Sequence, residues 1–482
     1  MLDTRPIVHL IGLLGLAMGT LMLAPMAVDL QAGNDNWRAF ARSAFLACLI
    51  SGLAALSTRD ALREGLGRRQ SFLLTASLWA VLPSLGALPF VLGAPQAGLT
   101  HAYFEAMSGM TTTGTTVFTR LDDLPPGVLV WRSMLQWLGG LGIVVVALVF
   151  LPVLRVGGMQ HFQSEAFDTM GKVLPRVYDI SAALLQVYVG LTLAATAAYL
   201  AFGMSGFDAV NHAMTTIATG GFSTSDASFG RFTGPLEYVS VLFMVLAGLP
   251  FIRFIQLLGG SWRAFLSDVQ VRAFLRWTAY AVGVVILYRM ATSDAGLADL
   301  LRGTLFNVVT LFTGTGYSSE NVDEWGDFPL LVVVLVGFIG ACTASTGCSL
   351  KVFRYLVLFE AIRAQMQRLR RPHEVQHLRL GGQRLEPDVI SSVIVMFTVF
   401  VAGFMALSVA LSLTGLELRT AITAAWTSIC NVGPVYGPEV SASGAVEGFP
   451  LAAKWLMILG MYVGRLELLA VLVLLLPRFW RD

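Results

Sequence analysis

The sequence predicts an all-α polytopic membrane protein, with four pseudo-symmetric helix–pore loop–helix repeats around a central pore and two extra N-terminal transmembrane helices. Three observations lead there. First, the 482 residues are 56% hydrophobic and only 13% charged, with mean hydropathy +0.71. A soluble core of this size does not need so much apolar surface. Second, apolar runs of spanning length recur along the whole chain. Third, four Thr/Gly stretches recur between the later runs: Thr111-Thr112-Thr113-Gly114, Ala218-Thr219-Gly220-Gly221, Thr313-Gly314-Thr315-Gly316 and Asn431-Val432-Gly433. Glycine tolerates φ > 0 and so lets a backbone turn its carbonyls inward. A ring of such carbonyls replaces the water shell of a cation.

The apolar spans fall at 7–29, 38–57, 71–94, 128–153, 180–203, 236–258, 276–292, 328–362, 389–413 and 449–476. Ten spans put both termini on one side. The densest arginine clusters, Arg59 to Arg69 and Arg363 to Arg384, place that side in the cytoplasm by the positive-inside rule. The first run lacks a small-residue cleavage site and reads as a retained helix. Residues 1–58 form the two-helix extension. Repeats follow at 70–155, 178–260, 275–363 and 388–478. Each repeat holds a short segment too polar or too short to cross, at 99–116, 206–222, 297–317 and 415–434. Ser205 to Asp208 and Thr414 to Glu417 have the spacing of helix N-caps. Non-helical backbone at membrane depth is tolerated only where it is buried or lines a water-filled path. Four re-entrant segments therefore imply a central pore.

The candidate cation-binding residues are Thr112, Thr113, Gly114, Gly220, Gly221, Thr315, Gly316, Asn431, Val432 and Gly433. No charged residue lies among them. That pattern favours carbonyl coordination of a weakly hydrated monovalent ion over a carboxylate ring for a divalent one. The following loops hold Asp122, Asp123, Asp226, Glu320, Asp323, Glu324, Asp327, Glu439 and Glu447 against only Arg120 and Arg231, an acidic mouth that would concentrate cations. The stretch Gly340, Ala341, Cys342, Thr343, Ala344, Ser345, Thr346, Gly347, continuing to 349, interrupts an apolar run with small residues. Broken helices at mid-membrane mark ion pathways, so 340–349 is expected to lie beneath the filter as a gate; close helix packing through small residues is the alternative. Arg465 stands deep in the last span, where a charge costs about 2.5–3.5 kcal/mol. It would set an electrostatic barrier, hold the gate loop, or form a structural pair with a carboxylate. Arg132 and Lys454 are expected to snorkel toward the outer interface.

Other chemistry finds little support. His373-Glu374-Val375-Gln376-His377 is a literal HExxH, but it sits in a short basic loop with no long helix to carry it. It is judged not to be a zinc site, and intramembrane proteolysis is a remote alternative. The remaining histidines, His9, His101, His161 and His212, show no ligand spacing. The four cysteines, Cys48, Cys342, Cys348 and Cys430, form no CxxC pair. No enzyme activity, cofactor or nucleic-acid partner is expected.

Taken with Gln-Trp-Leu-Gly-Gly-Leu-Gly at 136–142, Leu-Arg-Val-Gly-Gly-Met-Gln at 154–160, Gly-Gly-Phe-Ser-Thr at 220–224, Ser-Thr-Gly-Cys-Ser-Leu-Lys at 345–351 and Gly-Arg-Leu-Glu at 464–467, the chain resembles the Trk/Ktr/HKT superfamily of potassium transporters. The two N-terminal spans are similar to the Trk branch. The resemblance covers nearly the full length. It implies gated, channel-like potassium uptake across a bacterial inner membrane, with Gly114, Gly221, Gly316 and Gly433 as filter glycines and potassium as the transported ion. A less selective K⁺/Na⁺ pathway and an H⁺- or Na⁺-coupled symporter are the alternatives. It also implies a homodimer docked on a cytosolic nucleotide-binding regulatory ring, for which 155–176 and 363–384 are candidate surfaces. The gate stretch departs from the glycine run common in the family.

Overall fold

The structure is a computed structural model that describes residues 2–60, 66–145, 177–373, 378–466 and 468–481. Helices α1 (Arg5–Leu21) and α2 (Leu23–Gln31) make one apolar rod of 27 residues. Helix α3 (Trp37–Ser57) turns back along it. Glycine sets their spacing: a Cβ at Gly12 would stand 2.8 Å from the Ala55 nitrogen, and one at Gly15 would meet the Ser51 side chain. Buried Asp29 ties this hairpin to the rest of the molecule, accepting from the Gly127 amide at 2.6 Å and from Asn36 at 2.9 Å.

The order of elements then repeats four times. The first unit is α4 (Arg68–Gly86) with α5 (Leu88–Leu92), the short α6 (Leu99–Met110) and α7 (Pro126–Val145). The second is α8 (Val177–Ala201), α9 (Gly206–Ile217), α10 (Pro235–Ala247), α11 (Phe251–Leu258) and α12 (Trp262–Ser267). The third is α13 (Val269–Thr292), α14 (Leu297–Thr313), α15 (Asp327–Ile339) and α16 (Val352–Arg370). After a small antiparallel pair, β1 (Arg379–Leu380) and β2 (Gln383–Arg384), the fourth is α17 (Pro387–Ser412), α18 (Leu418–Cys430), α19 (Leu451–Arg465), α20 (Leu469–Leu475) and α21 (Pro477–Arg481). Packing is cyclic. In each unit the helix after the Thr/Gly stretch packs on the short helix of the next: α7 on α9, α10 on α14, α15 on α18, and α19 back on α6. The apolar core runs between these pairs, around Trp131 and Phe104 on one side and Phe229, Phe306 and Trp426 on the other.

Several expected spans are interrupted. Among the described residues six helices are long and apolar enough to cross a membrane, and a seventh counts if α10 and α11, bent by 92°, are one span. The run at 328–362 breaks at 340–351, between α15 and α16, and the run at 449–476 breaks after Arg465. The run at 128–153 leaves the described residues after 145. The Ser205 cap is present, its hydroxyl accepting from the Asp208 amide at 3.1 Å. The expected cap at Thr414 is not: α18 starts from Glu417, and the Thr414 hydroxyl turns back to the Leu411 carbonyl.

Candidate functional site: a fourfold ring closed by one loop

Each short helix ends directly in a Thr/Gly stretch, and each stretch has two residues in the left-handed region, two positions apart. They are Thr112 and Gly114, Thr219 and Gly221, Gly314 and Gly316, and Asn431 and Gly433. Alternating a left-handed residue with an ordinary one turns successive carbonyls to the same side, where an extended strand would alternate them. Three of the first positions are Thr or Asn rather than Gly, so the surroundings hold them there.

The four stretches meet around one axis. A Cβ on Gly114 would run into the carbonyl oxygen of Gly220, and one on Gly221 into that of Thr315. One on Gly316 would lie 3.1 Å from the Val432 oxygen, and one on Gly433 3.3 Å from the Thr113 oxygen. Each of these glycines thus faces the carbonyl just before the next one, and the fourth returns to the first. The four candidate stretches thus meet in one ring.

Side chains fix this irregular backbone. Gln136, on α7, donates to the Gly220 carbonyl at 2.6 Å and accepts from the Phe222 amide at 3.0 Å. Asn431 donates to the Thr113 hydroxyl at 2.9 Å and the Met461 carbonyl at 3.1 Å. The hydroxyls of Thr115 and Thr427 donate to the Gly433 carbonyl at 2.6 and 2.7 Å. Both lone pairs of that oxygen are engaged. The Tyr317 hydroxyl lies 2.5 Å from Thr215 and 3.2 Å from Thr216, joining the second and third stretches from behind.

Arg132 does not snorkel. It is 1% exposed and pairs with fully buried Glu105 at 2.8 Å. It also donates to the Ser223 carbonyl and Thr116 hydroxyl and covers the Phe222 ring at 4.1 Å. Glu105 accepts from the Val117 amide at 3.0 Å. The pair clamps the exits of the first two stretches. Lys454 is likewise buried, against His101 at 2.8 Å and the Glu447 carbonyl at 2.5 Å. Loop closure brings partners that outcompete the distant interface. A buried Arg beside a Glu on the preceding helix is the signal that sequence reasoning passed over.

Outside the ring, a cleft of about 540 Å³ is lined by Asp226, Glu320, Asp323 and Glu324. It is less acidic than the loops suggest, because two cations arrive from α13 and α18: Arg289 pairs with Glu320 at 2.9 Å and Arg419 with Asp323 at 2.5 Å. Within the loops, Arg231 pairs with Asp122 at 2.9 Å. On the rim, burial raises the Glu439 carboxyl, but hydrogen bonds from the Thr420 hydroxyl and Glu417 amide outweigh it and hold it below its usual value.

Inside the ring, the loop is buried over 340–348, and Ser349 is half-buried. Thr112 Oγ1 stands 3.5 Å from Cys348 Sγ, and a Cβ on Gly347 would come within 2.9 Å of the Thr313 carbonyl. The Arg465 guanidinium donates to Cys348 Sγ at 2.6 Å and the Gly139 carbonyl at 3.3 Å. Among the described residues no carboxylate pairs with it. Glu467 lies outside the described residues, as do Glu374 and His377 of the HExxH pattern and the stretch 155–176. The void between Gly347, Asn431 and Arg465 has about 20 Å³, room for one water.

Comparison with known proteins gives a consistent result. A model of the TrkH family, described as cation transport protein, matches residues 38–481. The chain is 38% identical over 479 residues to the Trk system potassium uptake protein TrkI of Halomonas elongata, covering 99% of this chain and 97% of that one. It is 35% identical over 485 residues to the Trk system potassium uptake protein TrkH of Salmonella typhimurium, covering 99% of each. The crystal structure of the potassium transporter TrkH from Vibrio parahaemolyticus matches with a TM-score of 0.91 at 31% identity, covering 100% of both chains.

Proposed function

Because this chain belongs to the TrkH family of cation transport proteins, we propose that it takes up potassium across a bacterial inner membrane through a gated, channel-like pore. The observation that carries the proposal is the closed ring in which each of Gly114, Gly221, Gly316 and Gly433 faces the carbonyl preceding the next. Exchange of a water shell for fixed carbonyls suits a weakly hydrated monovalent ion. The four repeats proposed, 70–155, 178–260, 275–363 and 388–478, each supply one side of that ring.

The loop at 340–349 and Arg465 form the gate in this proposal. The void of about 20 Å³ beside them is too narrow for an ion with its water. The Arg465 guanidinium adds a positive charge on the path, which opposes a cation until it moves. The chain needs no cofactor for this. A homodimer and a cytosolic nucleotide-binding ring belong to the same proposal, and any nucleotide response would come through that partner. A less selective K⁺/Na⁺ pathway is favoured by one observation: the fourth stretch has its Gly433 carbonyl already bonded to two hydroxyls.

Uptake of radioactive rubidium into liposomes holding the purified protein tests this. Uptake suppressed by K⁺ but not by Na⁺ supports the proposal. Equal suppression by both favours the less selective pathway, and no uptake with or without a cytosolic partner contradicts both.

A further inference from the structure

The second repeat ends unusually. Gly248, Leu249 and Pro250 stop α10, and the chain turns by 92° into α11. Proline has no amide to continue a helix, and α12 follows after the Gly259–Gly260 turn. Residues 251–267 thus form an elbow across the end of the repeat.

Its depth follows from α13. Tyr288 packs against Phe328 with ring centroids 5.0 Å apart at the outer end, and Gln270 lies eighteen residues below. At 1.5 Å per residue that is about 27 Å, close to the roughly 30 Å of a hydrocarbon core. The elbow therefore sits at the inner interface. It presents Leu258 at 80% exposure, Trp262 at 57% and Leu266 at 58%. Beside them Arg263, Arg272 and Arg276 are exposed, while the nearby acid, Asp268, is held by Arg253 at 2.6 Å. Exposed Leu and Trp beside unneutralised arginine is the composition of an interfacial helix on an anionic leaflet.

The elbow's neighbours, the last residues of α10 and the start of α13, grip the loop at 340–349 together with Phe251, the elbow's first residue. The Cys342 amide donates to the Gly248 carbonyl at 3.0 Å, the Phe251 amide to the Ala344 carbonyl at 2.9 Å, and the Thr346 hydroxyl to the Ala247 carbonyl at 3.1 Å. From the start of α13, the Gln270 side chain accepts from the Thr343 amide at 3.1 Å. We propose that the elbow at 251–267 seats on anionic lipid headgroups and thereby holds the loop in its obstructing position, so that the lipid surface sets how readily the pore opens. This rests on the pore reading above.

The test is rubidium flux through the full chain in vesicles of phosphatidylcholine alone or mixed with phosphatidylglycerol. Flux should fall about fivefold or more in the anionic vesicles, and the triple variant R263Q/R272Q/R276Q should lose that difference. Attraction of cations to an anionic surface acts equally on both proteins and cancels in the comparison. Equal flux in both vesicles, higher flux in the anionic ones, or the same fall in the triple variant would overturn the proposal. A second readout does not need flux: a fluorophore on Leu258→Cys, in a Cys48→Ala background, should shift its emission to the blue in anionic vesicles. An unchanged spectrum overturns the proposal, as does a change of oligomeric state in place of lipid dependence, which would give the face to a second copy. Absence of all rubidium flux contradicts the pore instead, and the fluorophore still decides the elbow.

Discussion

Gln136 shows how much of the ring depends on one side chain outside it. Its amide satisfies a carbonyl and an amide on either side of Gly221. Gln136→Leu leaves both buried and unpaired, at about 1–3 kcal/mol each. The expected outcome is a protein that still inserts but has lost preference for K⁺ over Na⁺ in competition uptake. Glu105→Gln should act differently. It leaves the Arg132 charge buried without its partner, at about 3–5 kcal/mol, and a lower melting temperature in detergent would register that. Glu439 carries a pH prediction. Its carboxyl is held below the usual 4.5, so its stabilising contribution is present above that value and is lost as pH falls through the lowered one. Loop 434–448 should become protease-sensitive on acidification below 4.5, and Glu439→Gln should be sensitive already at neutral pH.

At the scale of elements, the sequence announced the short helices and their Thr/Gly ends, because composition changes sharply there. It also marked 340–349, where small residues interrupt a greasy run. It was silent on the elbow: 236–258 reads as one apolar span, and hydropathy has no direction, so a right-angle turn at Pro250 leaves it unchanged. Arg132 and Lys454 were misread for a related reason. Snorkelling is the default for a lone cation near a span end, and only loop closure reveals Glu105 and the Glu447 carbonyl as nearer partners. If the loop at 340–349 is the gate, deleting 341–347 should raise basal rubidium flux. Arg465→Gln should raise it less, since it removes the charge and the Cys348 contact but leaves the staples to α10 and α11. Unchanged basal flux in the deletion would count against the gate.

For the whole molecule, the ring depends on four unlike sequences adopting one backbone shape. The pattern of two left-handed residues per stretch was legible only in part. Gly114, Gly221, Gly316 and Gly433 are visible as glycines, whereas Thr112, Thr219 and Asn431 take the same conformation without that signal. Any side chain at one of these four glycines adds about 1–2 kcal/mol of backbone strain and meets a neighbouring carbonyl or backbone. Gly114→Ser and Gly316→Ser should each lower the preference for K⁺ over Na⁺ by about tenfold, the equivalent of 1.4 kcal/mol. The most direct measurement is the anomalous scattering of crystals grown in Rb⁺. Peaks on the axis enclosed by Gly114, Gly221, Gly316 and Gly433 are predicted. A ring empty of rubidium, with peaks only at the carboxylates of the outer cleft, would contradict the carbonyl filter.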